Sequence, residues 1–345
     1  MMDYMEYVDQ DLRVAVIGFG KMGILHSAIL NLLRPGSVRA VVDASRLLAF
    51  GASRLIGNIR FYRKTNEMLK KESPDAVYVT TPTASHCDIV SELLEARVRN
   101  IFVEKPPTTD SRELGLLVQK ARNDELIMVG LQKRFALPIQ QARKLVLNNV
   151  VGEVQEVFAY EKSGHITTPT RRFRSIGRGA LLDLGIHVVD LLVWIFNTPR
   201  VEACSRVMLH TDVDDQFTAR LRTKDDVIIS MEVTWSAQEY RLPETYIEVH
   251  GSKGQLTVTE DYLKVKTLDP HELLNGRNEL QIYKPQYYQN LPPVNLSDPE
   301  YTLENMHFLS SVEKRNEPLT SIKSVAQTMQ LIDEMYTMAD ASDGH

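Results

Sequence analysis

Residues 13–29 read RVAVIGFGKMGILHSAI, with Gly18, Gly20 and Gly23 at G-x-G-x-x-G spacing between an apolar β-type run and a helix-type run. Val14 to Ile17 form an unbroken apolar run that suits a buried parallel strand, so Gly18 falls at its carboxyl end, where a tight turn begins. Gly20 lets the backbone approach a pyrophosphate, and Gly23 lets the following helix pack close to the strand. The N–H groups of the helix start and the positive end of its dipole complete an anion cradle. The next strand, VRAVVD, ends in Asp43, twenty residues after Gly23. A carboxylate there accepts both hydroxyls of an adenosine ribose. The expectation is a dinucleotide site formed by Gly18, Phe19, Gly20, Lys21, Met22 and Gly23 with Asp43. Asp43 repels a 2′-phosphate and so favours NAD over NADP, whereas Arg46, in DASR, is placed to clamp that phosphate if Asp43 turns away. The competing reading is a plain βα turn with Asp43 solvated at a strand end.

At 345 residues the chain suits two domains, and 43% hydrophobic with 25% charged residues is an ordinary globular composition. The most apolar run, Leu181 to Phe196, still contains Asp183, His187 and Asp190, so no membrane span is expected. The N-terminal MMDYMEYVDQD is acidic and lacks the basic start and apolar middle of a secretion signal, which points to the cytoplasm. Cys87 and Cys204 are the two cysteines. With no CxxC pair and no His cluster at metal spacing, they read as buried thiols, and no metal site is expected. The net charge is −5, and RRFR at 171–174 is the longest basic block, so nucleic acid is disfavoured as a partner.

Strand-like and helix-like runs alternate from residue 12 to about 131. Strand candidates are Arg13–Ile17, Val38–Val42, Ala76–Thr80, Asn100–Val103 and Ile127–Leu131, separated by amphipathic stretches such as Asp88–Ala96 and Ser111–Arg122. The pattern predicts an α/β class, a doubly wound parallel sheet with right-handed crossovers, whose ligands sit beyond the carboxyl ends of the strands. After Gln132 a helix (Pro138–Asn149) leads into longer alternating runs joined by TKDD and GSKG turns. This second domain, 132–345 after a first domain of 1–131, reads as α+β with a mostly antiparallel sheet. The Pro-, Asn-, Gln- and Tyr-rich segment Pro270–Pro299 is expected as a loop. A last helix is expected over Ser321–Met338, followed by a frayed polar tail.

Three segments carry the chemistry. In YVTTPTASHCDIV (78–90), Thr81-Pro82 ends the third strand candidate, and Ser85 or Thr83 is placed to cap the helix that follows. That backbone belongs near the cofactor, and His86, in a first helical turn, reads as a neutral structural or cofactor-contacting histidine rather than a base. In NIFVEKPPTTD (100–110), Glu104 and Lys105 close the fourth strand candidate, with Pro106 holding Lys105 extended. In GRGALLDLGIHVVDLLVWIF (177–196), Asp183 and His187 are four apart and so share one helix face, with Asp190 three further on. On a helix otherwise apolar, such residues must be paired or face a cavity. A catalytic pair and a histidine satisfied in the core both fit.

Taken together, GFGKMG, TPTASH, EKPP and GALLDLGIH resemble the glucose-fructose oxidoreductase/inositol dehydrogenase/MocA family of nicotinamide-dependent oxidoreductases, in matching order over nearly the whole chain. MEVTWSA and VHGSKGQLTV resemble that family's sheet. The resemblance implies a catalytic set of Lys105, Asp183 and His187, an active site between an N-terminal Rossmann domain and a C-terminal open sheet, and homodimers or homotetramers through the sheet. Arg178, where the family often carries glycines, and Gln132, often Asn, depart from the pattern.

Oxidising a secondary alcohol needs a base and charge stabilisation, because the cofactor handles only the hydride. His187 is suited to take the proton, Asp183 to orient it or hold a neighbouring hydroxyl, and Lys105 to stabilise the alkoxide, or itself to take the proton. The substrate implied is a sugar, polyol, inositol or sugar nucleotide, with Arg134, Lys162, Arg172 and Trp235 as candidate contacts. Two other readings stay open: an NAD-dependent glycosidase with transient ring-hydroxyl oxidation, and a noncatalytic dinucleotide-binding regulator.

Overall fold

The computed structural model describes residues 12–45, 59–166, 168, 178–285 and 298–343. Its contacts form two compact units, one of residues 12–132 with 298–326 and the other of 133–285 with 327–343. The chain thus returns to its first unit after completing most of the second, where the sequence suggested a linear division at 131/132.

The first unit is built on β1 (Val14–Ile17), β2 (Val38–Val42), β3 (Arg60–Tyr62), β4 (Ala76–Val79), β5 (Asn100–Glu104) and β6 (Leu126–Gly130), in the order β3-β2-β1-β4-β5-β6 with every pair parallel. The α/β class follows as expected. β1, β4 and β5 are buried along their whole length, the both-faces burial that a sheet flanked by helices demands. β3 has no counterpart among the strand candidates because it is three residues long and begins on an exposed arginine, so it carries no apolar run. The helices are α1 (Lys21–Leu33), α2 (Thr65–Lys71), α3 (His86–Glu95) and α4 (Ser111–Lys120).

The second unit opens with α5 (Leu137–Leu147) and strand β7 (Val154–Lys162), followed by helices α6 (Ala180–Asp183) and α7 (Ile186–Phe196). Strands β8 (Arg200–Val207), β9 (Gln216–Arg222), β10 (Ile228–Thr234), β11 (Glu244–Gly251), β12 (Gly254–Thr259), β13 (Tyr262–His271) and β14 (Arg277–Tyr283) complete an eight-stranded sheet. Its order is β14-β13-β12-β11-β7-β10-β9-β8, antiparallel except where β7 meets β10. TKDD and GSKG turn β9 into β10 and β11 into β12, as their sequences predict.

Two expectations need correction, and one helix was not foreseen. The described part of Pro270–Pro299 is not a loop: Pro270 and His271 finish β13, and β14 pairs with it, Lys266 facing Glu279. β14 is an edge strand whose residues alternate without a buried face, so it lacks the hydrophobic signature of a strand. A helix, α8 (Pro299–Lys314), packs on α1 and β6. It went unseen because its buried positions include Thr302, Glu304 and Asn305 rather than an apolar stripe. The last helix, α9 (Ile322–Asp343), continues through the stretch expected to fray. No helix among the described residues is long and apolar enough to cross a membrane.

Inside the second unit, Lys133 is buried with its Nζ 2.8 Å from Glu161 Oε1 and in contact with Glu260 and the Thr245 hydroxyl. Burial alone would lower the lysine pKa, but the two carboxylates outweigh it and raise it. Removing the cation would leave two carboxylates in a site with little water. Lys133→Met is therefore expected to cost roughly 3–5 kcal/mol of unfolding free energy, read from urea denaturation; a loss below about 1 kcal/mol would contradict this role.

Candidate functional site

The order of strands in the first unit reverses between β1 and β4, and doubly wound sheets bind ligands outside the carboxyl ends at such a point. Gly18 follows β1 with φ +90°, and Thr80, which follows β4, donates its hydroxyl to the Gly18 carbonyl at 2.6 Å. The three glycines play separate roles. A Cβ on Gly18 would lie 2.7 Å from the Thr81 nitrogen, and one on Gly23 only 2.0 Å from the Gly18 oxygen, so both are fixed by close backbone approach. A Cβ on Gly20 would meet nothing within 4 Å. Gly20 is exposed and precedes α1, whose N-terminus has no side-chain cap. This open backbone, at the positive end of a helix, is the arrangement a pyrophosphate requires, and the residues present fit a dinucleotide.

Asp43 flanks that opening. Its Oδ2 accepts the Phe19 N–H at 2.7 Å and its Oδ1 accepts the Ser45 N–H at 2.8 Å, which aims the carboxylate and leaves each oxygen a further lone pair for a ribose hydroxyl. Phe19 is buried in the core, so only its backbone faces the crevice; Lys21 is exposed and Met22 half-buried. Arg46 lies outside the described residues.

The loops after β4 and β5 are tied to each other. His86 is buried, with Nε2 2.7 Å from the Thr81 carbonyl and Nδ1 2.9 Å from the Pro106 carbonyl. Burial lowers its pKa against the pull of those two carbonyls. The neutral ring has one N–H, so it donates to one of the two carbonyls while packing between the loops that carry them. Ser85 does not cap α3; its hydroxyl donates to Pro82 O at 2.8 Å and, with its one proton so used, accepts from the Thr81 hydroxyl at 2.8 Å, so Thr81 and Pro82 are held in a tight turn. The Glu104 side chain, also expected near the cofactor, turns inward to His26 at 2.8 Å and to the Lys105 N–H at 3.0 Å. Lys105, half-buried, precedes Pro106 across a cis peptide bond.

In the second unit Asp183 and His187 do not share one helix. Asp183 ends the short α6, Leu184 and Gly185 turn the chain, and His187 sits in the first turn of α7, 5% exposed. Gly185 permits the break, since a Cβ there would lie 2.7 Å from the Leu181 carbonyl and 2.8 Å from Val233. The start of α6 is clamped by a residue the sequence did not flag. Asp214 accepts the N–H groups of Gly179 and Leu181, each at 2.8 Å, and the Tyr336 hydroxyl at 3.0 Å. Burial pushes its carboxyl up to about 6.

The substrate candidates fare differently. Arg134, 3% exposed, forms a two-pronged pair with Asp190 at 2.6 Å on each arm, with Thr328 also on Asp190. This pair satisfies the third polar residue of the apolar helix and occupies the Arg134 guanidinium. Trp235 is fully buried, its indole N–H donating to Asp215 at 2.7 Å, and is a core residue. Lys162 reaches Glu232 at 2.7 Å on the sheet face, and Arg172 lies outside the described residues. Arg178 pairs with Asp333 and lies 4.8 Å over the Tyr336 ring, and Gln132 donates to the Tyr301 hydroxyl at 3.0 Å. Cys204 is buried, whereas Cys87 is only half-buried, and both are thiols.

A cavity of about 1580 Å³ opens at the opposite, amino ends of the first unit's strands, around Arg13, Arg39, Arg60 and Arg99. Arg13 and Arg60 are neutralised there by Asp75 and Glu72, and Lys71 complements the C-terminal dipole of α2. It lies at the wrong end of the sheet for the dinucleotide.

Residues 12–131 match the family model described as oxidoreductase family, NAD-binding Rossmann fold, and residues 139–257 match the GFO/IDH/MocA C-terminal domain. Among curated proteins, the chain is 23% identical over 334 residues to D-apiose dehydrogenase of Paraburkholderia graminis, covering 94% of this chain and 87% of that protein. It is 22% identical over 253 residues to myo-inositol 2-dehydrogenase of Thermotoga maritima, 71% of this chain and 74% of that protein. With the rhizopine catabolism protein MocA of Rhizobium meliloti it shares 28% identity over 188 residues, 53% of this chain and only 56% of the relative. Among solved structures, levoglucosan dehydrogenase in complex with NADH and L-sorbose has the same fold, with a TM-score of 0.84, 20% identity and 96% and 98% coverage of the two chains.

Two outcomes test this geometry. Gly20→Ala is expected to change stability by less than about 0.5 kcal/mol while weakening NADH binding at least about tenfold; an unchanged dissociation constant would remove the opening from the site. Asp214 binds its proton more tightly folded than unfolded, so this group alone lowers stability as pH rises from the ordinary carboxylate range through about 6. Asp214→Asn lacks that term and is expected to gain on the parent between about pH 4.5 and 7 in urea unfolding. A difference that does not vary with pH would contradict the raised value.

Proposed function

From its place in the GFO/IDH/MocA oxidoreductase family, to which the chain belongs through matches on both of its halves, we propose that this protein is a dehydrogenase moving a hydride between a nicotinamide dinucleotide and a secondary hydroxyl of a sugar, inositol or other polyol. The observation that carries this reading is the open phosphate cradle at Gly20, at the head of α1. The names of the relatives, an inositol and an apiose dehydrogenase among them, support the substrate class. NAD is favoured over NADP because Asp43, aimed by two backbone N–H groups, repels a 2′-phosphate.

Gly18 to Gly23, the α1 N-terminus and Asp43 hold the dinucleotide, and Thr81 and Pro82 border it. When bound, the nicotinamide supplies the hydride acceptor. His187 takes the hydroxyl proton, a task suited to an imidazole near neutral pH. Asp183, one short turn away in sequence, orients that imidazole or holds the neighbouring hydroxyl. Lys105 presents an ammonium to the developing alkoxide. The uncovered face of the second unit's sheet carries Phe158 and Tyr160 beside an apolar hollow of about 520 Å³, which suits self-association into a dimer or tetramer. Two cysteines kept as thiols suit the cytoplasm.

A panel of inositols, aldoses, uronates and nucleotide sugars with NAD and NADP, followed by reduced-nicotinamide absorbance, identifies the alcohol. With that alcohol, His187→Ala is expected to lose roughly 10²–10⁴-fold in kcat with NADH affinity nearly intact. A variant whose NADH affinity falls as far as its turnover would contradict the assigned role.

A further inference from the structure

Glu104 is the last residue of β5 and is 6% exposed, near enough to Glu304, whose pKa burial raises, for its charge to raise that pKa further. A carboxylate taken so far from water is retained only where donors replace the lost hydration. It has two. Oε2 accepts the N–H of Lys105, the next residue, at 3.0 Å, and Oε1 lies 2.8 Å from His26 Nε2. His26 is wholly buried on α1, three residues past Gly23, its ring packed 4.9 Å from Phe102 and 5.5 Å from Tyr78. Its other nitrogen, Nδ1, meets the side-chain amide of Asn305, whose Nδ2 approaches to 2.9 Å and also donates to the Tyr301 carbonyl at 2.7 Å. Asn305 Oδ1 lies 3.2 Å from the same nitrogen, and because a carboxylate only accepts, it is the Nε2 N–H that donates to Glu104.

The geometry points to a new role for His26, and for Asn305 behind it: they are positioning residues that fix the backbone of Lys105 through the Glu104 carboxylate. α8, α1 and the end of β5 are strung on one line of hydrogen bonds within the first unit. The helix that opens the phosphate cradle is therefore tied to the segment that presents the ammonium. The inference rests on the functional reading of Lys105 given above. His26 touches neither dinucleotide nor alcohol in this scheme; it acts by holding a neighbour of Lys105 in one rotamer. A shift of the lysine by about 1 Å is enough to cost on the order of 10²-fold in rate.

The test compares His26→Ala with His26→Gln, whose side-chain amide donates to Glu104 again. Pro106 and Pro107 carry no N–H, so the difference between fragments spanning 101–104 and 101–107 reports the Lys105 amide alone. In hydrogen–deuterium exchange of the apo protein, His26→Ala is expected to speed exchange of this amide at least about tenfold while the β1 and β4 amides stay protected. With the alcohol found in the panel, kcat falls about 10–100-fold and the NADH dissociation constant, from fluorescence titration, stays within about threefold. His26→Gln restores both most of the protection and most of kcat. Parent-like exchange and kcat in a folded His26→Ala would overturn the proposal, as would loss of kcat that His26→Gln does not recover. Should His26→Ala not fold, Glu104→Gln takes its place: the weaker neutral acceptor speeds Lys105 exchange and lowers kcat, and parent-like values for both overturn the tie. Lys105→Ala separates the two levels. If it is fully active, the functional reading fails; if it is inactive while His26→Ala is unaffected, only the positioning role fails.

Discussion

A carboxylate removed from water must find N–H or O–H donors inside the protein, and three in this chain, Asp43, Glu104 and Asp214, find them in backbone groups. Asp43 takes the Phe19 N–H in the middle of the glycine loop. Glu104 takes the N–H of Lys105. Asp214 takes two N–H groups at the start of the short helix that ends in Asp183. In each case the cost of desolvating the charge is offset only if the backbone stays where it is, so the requirement for satisfied hydrogen bonds becomes a requirement for fixed geometry.

Glycines do the complementary work of letting chain segments approach. Gly18 and Gly23 bring the end of β1, the start of α1 and the turn after β4 into contact, while Gly20, two positions from one and three from the other, is left open. Gly185 allows the chain to break between α6 and α7, so that Asp183 and His187 stand on separate short segments rather than on one helix face. Preorganisation of this kind is what an enzyme needs when the cofactor carries the difficult bond change and the protein supplies a proton acceptor and a fixed positive charge.

Much of this was legible in the sequence. The parallel sheet followed from short apolar runs separated by amphipathic stretches, and the glycine roles from their spacing. The segments that escaped are those in which polar residues occupy core positions. α8 buries Glu304 and Asn305, so its face has no apolar period, although Asp298-Pro299-Glu300 is a helix start that was there to read. His26, Asp214 and Tyr336 could not be assigned because their partners are distant in sequence; His26 and Asn305 are 279 positions apart. The partners of Arg134 and Trp235, candidate substrate contacts in the sequence, were hidden for the same reason, since each is engaged by an aspartate that only folding brings near.

The chemistry these constraints serve is removal of a hydride from a carbinol carbon, and it leaves an isotopic record. Incubating the protein with NAD and with inositol, glucose or sorbose deuterated on carbon, then weighing the reduced nicotinamide, reads that step directly. The account predicts NADH heavier by one deuterium from at least one of these alcohols. Reduced nicotinamide of unlabelled mass, or no reduction by any of them, would contradict it.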